Sequence, residues 1–148
     1  MEEEIEFHHI IPIQLRFSDV DKFGHVNNSV YFEYYDLAKT EYLATVCPDI
    51  DWNKDGIVVV HLESDFLTQI FSSDHIAVQT AVTGIGTKSF HLMQRVIDTK
   101  THEIKCNCMS IMVSFDLVKH ESEPISEKRI EAICEFEGKD LRKKKKTK

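Results

Sequence analysis

Residues 18–29 have the sequence SDVDKFGHVNNS and lie between a strand pattern and a helix pattern. Before them, apolar residues alternate with polar ones from Ile11 to Phe17, which predicts a half-buried strand. After them, apolar residues recur every three or four positions, which predicts a helix with one broad apolar face. The helix positions are Tyr31, Tyr35, Ala38, Tyr42 and Val46, with Val30, Tyr34 and Leu37 alongside.

The length and charge of the chain limit its organisation and its partners. A chain of 148 residues predicts one domain, which we place at 1–137, followed by a basic, solvated and disordered tail at 138–148. The whole chain carries a net charge of −7, and because six cations lie in 142–148, residues 1–141 carry −13. Such an acidic body does not favour general nucleic-acid binding.

Compartment and cysteine usage point to an ordinary intracellular protein. No apolar run is long enough to span a bilayer, and the acidic residues 2–4 are unlike a signal peptide, so we expect no membrane insertion and a cytoplasmic location. The four cysteines show no paired framework. Cys106 and Cys108 are two apart in a strand pattern and are expected to be buried on one face.

The remainder of the chain is dominated by strand patterns. Residues 57–71, 76–82, 90–96 and 104–115 predict four strands, with a hairpin signal at 84–87 and a short amphipathic helix at 127–136. The predicted fold class is therefore α+β, with an antiparallel sheet of about five strands wrapped around one long central helix.

Three motifs resemble the hotdog-fold thioesterases, and most closely the 4-hydroxybenzoyl-CoA thioesterase-like branch of small acyl-CoA hydrolases. The resemblance covers about residues 8–118. It implies a catalytic carboxylate at Asp21, acting as general base or nucleophile, and amides at the helix start that receive the thioester oxygen. It also implies a homodimer or homotetramer with active sites across the subunit interface. The motifs are Asp21-x-x-Gly24-x-Val26-x-Asn28, Tyr31-x-x-Tyr34 and Gly86-Thr87-Lys88-Ser89.

The turn could supply the chemistry of thioester cleavage on physical grounds as well. Asp21 can act directly or through water, and unpaired N–H groups at a helix start can stabilise a developing oxyanion. Gly24 would permit a sharp turn, and His25 could orient water or carry a proton. The expected catalytic groups are Asp21, His25 and Asn28, and the expected substrate contacts are Gly24, Asn27, Ser29, Thr87, Lys88 and Ser89.

Each of these residues also has a structural interpretation. Asn27 or Asn28 could simply cap the helix, and Asp19 and Asp21 could serve the turn and the helix dipole. His25 could be structural. The stretch from His25 to Asn28 also resembles the plant acyl-acyl carrier protein thioesterases, but Phe23 stands where those enzymes have an asparagine.

The expected ligand is an acyl-CoA, because the family uses the 86–89 hairpin near the pantetheine and the nucleotide. Arg95, Lys100 and Lys105 could add positive charge, although ordinary surface lysines would give the same pattern. We expect an acyl-CoA thioesterase that needs no metal or redox cofactor. A non-catalytic acyl-CoA-binding or regulatory module is the alternative, and the missing His-x-x-Pro-Gly signature disfavours an acyl-thioester dehydratase.

Overall fold

A computed structural model describes residues 5–142 of the chain. The chain forms two α-helices, one 3-10 turn at Phe17–Asp19 and six strands. The α-helices are α1 (Asn28–Val46) and α2 (Glu127–Glu137). The strands are β1 (His9–Ile13), β2 (Asp55–Phe66), β3 (Ile76–Ile85), β4 (Ser89–Asp98), β5 (Ile104–Asp116) and β6 (Glu121–Ser122).

The strands form one antiparallel sheet in the order β1-β3-β4-β5-β2, and β6 pairs with β5. Successive strands from β3 to β5 are neighbours, as expected of a meander. The 12-residue strand β2 returns to the far side of β5 and forms one edge of the sheet. The predicted fold class is confirmed, with five long strands and a short sixth.

One face of α1 is buried against the sheet, and it includes all five main positions that the spacing predicts. Leu37, expected alongside them, is instead 50% exposed, and the buried Leu43 was not among the predicted positions. A buried glutamine ties the helix to the strands: the Gln94 amide nitrogen donates to the Tyr35 carbonyl at 2.9 Å and to the Thr80 hydroxyl at 3.2 Å. These bonds fix α1 over β3 and β4. The buried positions of α1 are Tyr31, Tyr34, Tyr35, Ala38, Tyr42, Leu43 and Val46.

The core divides into two clusters along α1. The first surrounds the start of α1 and includes Val26, Tyr31 and Ile70. The second surrounds its end and includes Val46, Ile85 and Phe90. A 19-residue helix is about 28 Å long, so elements packed on different clusters lie far apart.

A buried carboxylate fastens α2 to the second cluster. The carboxylate of Glu137 accepts hydrogen bonds from the Tyr42 hydroxyl at 2.5 Å and from the backbone N–H of Val82 at 3.1 Å. The register of β3 against β4 shifts just after Val82. Such a shift interrupts strand pairing, and Glu137 satisfies the N–H beside it.

Two strand predictions were wrong in their boundaries. Strand β1 ends at Ile13, and Phe17 is 99% exposed in the 3-10 turn instead of lying on a buried strand face. Strand β2 ends at Phe66 and does not continue to Phe71, because the N–H groups of Leu67 and Thr68 both turn to the carbonyl of Lys105. By contrast, Cys106 and Cys108 are both buried, as expected.

The predicted tail is not solvated throughout. Leu141 is only 7% exposed and packs in the second cluster, and its carbonyl accepts the N–H of Ile85 at 2.9 Å. Burial of this apolar side chain explains why the chain around Leu141 packs against the domain. The tail beyond residue 142 lies outside the described residues. Within residues 5–142, neither helix is long and apolar enough to cross a membrane.

We predict that Tyr42→Phe lowers the free energy of unfolding by about 2 kcal/mol, because it removes a buried hydrogen bond to a charged group. Urea denaturation measures the change. Thr40→Ala removes only an exposed hydroxyl bonded to the Asp36 carbonyl, so it should stay within about 0.5 kcal/mol of the wild type. Equal effects of the two substitutions would contradict the assigned role of Glu137.

Candidate active site

The turn before α1 is a small hairpin. Val20 and Val26 form an antiparallel bridge, the N–H of Asp21 donates to the carbonyl of His25 at 3.0 Å, and the N–H of Gly24 donates to the carbonyl of Asp21 at 3.1 Å. Its outgoing strand is bonded to the rest of the domain, because the N–H of Val26 donates to the carbonyl of Ile70 at 2.7 Å. These bonds therefore fix the conformation of the hairpin and its position on the domain.

Gly24 closes this hairpin in a left-handed conformation, with φ at +85°. A side chain at this position would meet no atom within 4 Å, so the glycine is required for its backbone angle and not for space. The predicted turn role of Gly24 is confirmed, and its contact with a substrate stays a prediction.

The carboxylate of Asp21 is half-buried beside a small cavity. One of its oxygens, Oδ1, accepts the N–H of Phe23 at 2.9 Å, which orients the side chain. The other oxygen, Oδ2, has no hydrogen-bond partner among residues 5–142. The cavity has a volume of about 290 Å³. It is lined by Leu15, Arg16, Phe17, Val20, Asp21 and Ser72.

The start of α1 lies directly after the hairpin. Asn27 is the N-cap, and its side-chain oxygen accepts both the N–H and the hydroxyl of Ser29 at 3.1 Å. This is the structural role given above as the alternative for Asn27. In the described part of the chain, the N–H of Asn28 has no acceptor, and Asn28 is exposed. This N–H, at the positive end of the helix dipole, is the group best suited to receive an oxyanion.

The ring of His25 lies between two aromatic rings. It stacks on Phe23 at 6.0 Å between ring centroids and meets the edge of Phe71 at 6.4 Å. Both phenylalanines are exposed. These contacts give His25 a packing role in the hairpin, and a role in proton transfer stays a prediction.

The second predicted group, Thr87, Lys88 and Ser89, lies at the other end of the protomer. The hairpin that carries these residues belongs to the cluster around the end of α1, through Ile85 and Phe90. Its backbone is held by β5 and by the segment before α2, since Ser114 donates to the Lys88 carbonyl and Ile125 to the Thr87 carbonyl. Within a single chain, therefore, this hairpin lies away from Asp21 and Asn28.

The additional cations differ in availability. Lys105 is buried and pairs with Glu103 at 2.9 Å and Asp74 at 3.3 Å, so it has a structural role. Arg95 lies over the ring of Phe7 at 4.3 Å. Lys100 is exposed. Among residues 5–142, no three His, Cys, Asp or Glu side chains are arranged to hold a metal ion.

Asp19 has a larger part in this site than its sequence position indicates. Its side chain is 1% exposed and is bonded by Arg16 and Tyr34. Burial alone would raise the pKa of this carboxyl, but the hydrogen bonds from Tyr34 and Arg16 outweigh burial and hold the pKa below its ordinary value. The only signal in the sequence is the spacing of Arg16 and Asp19, three residues apart, before an aromatic-rich helix.

Comparison with known proteins identifies the family of the chain. Residues 15–133 match the model of the thioesterase-like superfamily. The chain belongs to this superfamily. The match includes the hairpin, both helix ends of α1 and the whole of the meander.

Two curated relatives of the chain are thioesterases from a plant. A chloroplastic acyl-acyl carrier protein thioesterase of Arabidopsis thaliana, ATL3, is 28% identical over 114 residues, which is 75% of this chain and 60% of that protein. A second, ATL2, is 24% identical over 64% of this chain and 52% of that protein. The chain thus spans little more than half the length of these curated relatives.

Solved structures give the same fold. A Thermus thermophilus thioesterase, crystallised with coenzyme A and zinc, has a TM-score of 0.80 and 28% identity, covering 91% of this chain and 98% of that one. A 1,4-dihydroxy-2-naphthoyl-CoA thioesterase from Synechocystis has a TM-score of 0.73 at 17% identity, over 85% of this chain and 95% of that one. At that identity the second likeness concerns the fold alone.

We predict that Gly24→Ala destabilises this thioesterase-family protein by about 1 kcal/mol, because alanine disfavours a positive φ. Gly138, at the end of α2, has φ at +77° and equally open surroundings, so Gly138→Ala is a matched control with the same expected cost. Urea denaturation of both variants measures it. A much larger loss of unfolding free energy for Gly24→Ala would mean that the alanine methyl group clashes with neighbouring atoms, which would contradict the open surroundings of Gly24.

Proposed function

We propose that this protein hydrolyses the thioester of an acyl-CoA to a free acid and CoA. The observation that carries the proposal is a half-free carboxylate on the hairpin, seven residues before an unbonded N–H at the start of α1. Asp21 supplies the base or nucleophile, and Asn28 supplies the oxyanion donor. Membership of the thioesterase-like superfamily supports the same reaction.

In the water-assisted form of the reaction, Asp21 takes a proton from a water molecule, and the water oxygen bonds to the thioester carbon. The carbonyl electrons move to its oxygen, which accepts the N–H of Asn28. Collapse of this intermediate breaks the carbon–sulfur bond, and the leaving thiolate receives the proton from Asp21. If Asp21 attacks directly, its oxygen bonds to the thioester carbon, the carbon–sulfur bond breaks and the CoA thiolate leaves, which gives an anhydride. Water then cleaves the anhydride, which regenerates the Asp21 carboxylate, releases the acid and supplies the proton that the thiolate takes up.

The carrier of the acyl group is proposed to be coenzyme A. The Thermus thermophilus relative was crystallised with coenzyme A, which supports that choice. The plant relatives are named for the acyl carrier protein. A substrate panel therefore needs both carriers with the same acyl chain.

We predict that Asp21→Asn lowers kcat by at least about 100-fold on the best acyl-CoA of such a panel, since the base or nucleophile is lost. Release of free thiol measures the rate. Glu131→Gln, on the exposed side of α2, is the matched loss of a carboxylate and should leave kcat unchanged. Full activity of Asp21→Asn would contradict the assignment, and a wild-type protein that cleaves no thioester would contradict the proposed function.

We further propose that the active form is a homodimer, or a tetramer built from it, joined through β2. This strand is an unpaired sheet edge with exposed apolar residues along its length, and such edges favour pairing with another strand. The edge includes Val58, Val59, Val60, Leu62 and Phe66, all exposed. Pairing of two copies of β2 would cover these side chains.

Antiparallel pairing of β2 with its copy would also complete the site. Phe66 lies at the end of β2 near α1, since its ring meets that of Tyr31 at 5.2 Å. The opposite end of β2 leads to the 86–89 hairpin, because Val58 and Ser89 both lie opposite Val113. A two-fold axis across β2 therefore brings the hairpin of one protomer toward the Asp21 turn of the other.

We predict that Val60→Asp gives a folded monomer with little activity, because two like charges would meet at the paired edge. Light scattering after gel filtration measures the mass, and thiol release measures the rate. Val118→Asp is the matched control, since Val118 is 67% exposed against 58% for Val60 and lies outside β2. A monomeric variant with full activity would contradict a site shared between protomers.

A further inference from the structure

We propose that Asp19 is a positioning residue, which holds the Asp21 hairpin at a fixed distance from the first N–H of α1. This inference rests on the proposed hydrolysis, because it concerns the spacing of the two groups that perform it. It assigns no contact between Asp19 and the substrate.

The carboxylate of Asp19 is fully engaged by the protein. One oxygen, Oδ2, accepts the Tyr34 hydroxyl at 2.7 Å and the backbone N–H of Arg16 at 3.1 Å. The other, Oδ1, accepts the Nε–H of Arg16 at 2.9 Å and lies 2.9 Å from its Nη2 in an ion pair. Because three hydrogen bonds and this ion pair engage both oxygens and the side chain is buried, Asp19 is not available to activate water.

The backbone of Asp19 holds the other side of the hairpin. Its carbonyl accepts the N–H of Asn27 at 3.0 Å. Asp19 immediately precedes the hairpin, which the Val20–Val26 bridge closes, and Asn27 immediately follows it. One residue thus bonds the outgoing strand through its carbonyl and α1 through its side chain.

Tyr34 makes this arrangement sensitive to the position of α1. It lies six residues after Asn28, about 9 Å along the helix axis. Asp19 therefore joins the hairpin to two points of α1, the N-cap and a buried tyrosine in its second turn. Loss of the tyrosine bond leaves Asp19 with a single bond to α1, at the N-cap, so the hairpin can tilt relative to the helix while Val26 stays bonded to Ile70.

The same chain contains a matched control for this bond. Tyr42, eight residues further along α1, donates to the buried carboxylate of Glu137 at 2.5 Å. Both tyrosines are buried, and both phenylalanine substitutions remove one hydroxyl bonded to a carboxylate. Only the Tyr34 bond leads to the hairpin.

The test compares Tyr34→Phe with Tyr42→Phe in the full-length protein, on the best substrate of the wild type. We expect kcat of Tyr34→Phe to fall by about 10- to 100-fold, with KM within about threefold, because small displacements of a catalytic group are costly. Tyr42→Phe should lose comparable thermal stability and keep kcat within about twofold. A wild-type kcat for Tyr34→Phe, or equal losses in both variants, would overturn the proposal.

Amide hydrogen exchange provides a readout that does not need turnover. In Tyr34→Phe, the amides of Asp21, Val26 and Asn27 should exchange at least about tenfold faster, and in Tyr42→Phe they should be unchanged. Unchanged exchange in Tyr34→Phe would overturn the proposal even if the enzyme is active. A wild-type protein without thioesterase activity would overturn the proposed function alone, because the exchange result still decides the role of Asp19.

Discussion

The positions of the hairpin and of both core clusters follow from the burial of one face of α1 against the sheet. The buried tyrosines and Ala38 require the helix to lie along the strands, and Gln94 fixes it there with two hydrogen bonds. The start of the helix must then emerge at one end of the sheet, beside the bonded segment around Ile70. A hydrophobic face thus dictates where the helix begins, and the free N–H of Asn28 lies at that point, directly after the hairpin that carries Asp21.

The same burial leaves two features of the chain unsatisfied. Strand β2 remains an unpaired apolar edge, and the 86–89 hairpin lies on the core cluster around the end of α1, away from the Asp21 turn at its start. A two-fold copy paired along β2 would resolve both features at once, because antiparallel strands exchange their ends. Self-association and completion of the site would then be one event, and the chemistry would depend on a partner.

Sequence periodicity predicted the elements whose burial follows a simple repeat. The apolar face of α1, the alternation in β4 and the inward pair Cys106 and Cys108 are of this kind. It failed where a long-range contact overrides the local pattern. Phe17 continues the alternation of β1 but is exposed, because the chain turns so that Asp19 reaches Tyr34; Leu141 follows a charged segment but is buried. No spacing rule connects residues 19 and 34, or 42 and 137, so these carboxylate–tyrosine bonds were not predictable.

A crystal structure of the Asp21→Asn protein with an intact acyl-CoA would show whether the N–H of Asn28 receives the thioester oxygen. We expect that oxygen to lie about 2.7–3.1 Å from the backbone nitrogen of Asn28. The side chain at position 21 should face the thioester carbon, with the nucleotide directed toward the 86–89 hairpin of a second protomer. A thioester bound elsewhere, with the N–H of Asn28 left to solvent, would contradict the assignment of Asn28 as the oxyanion donor.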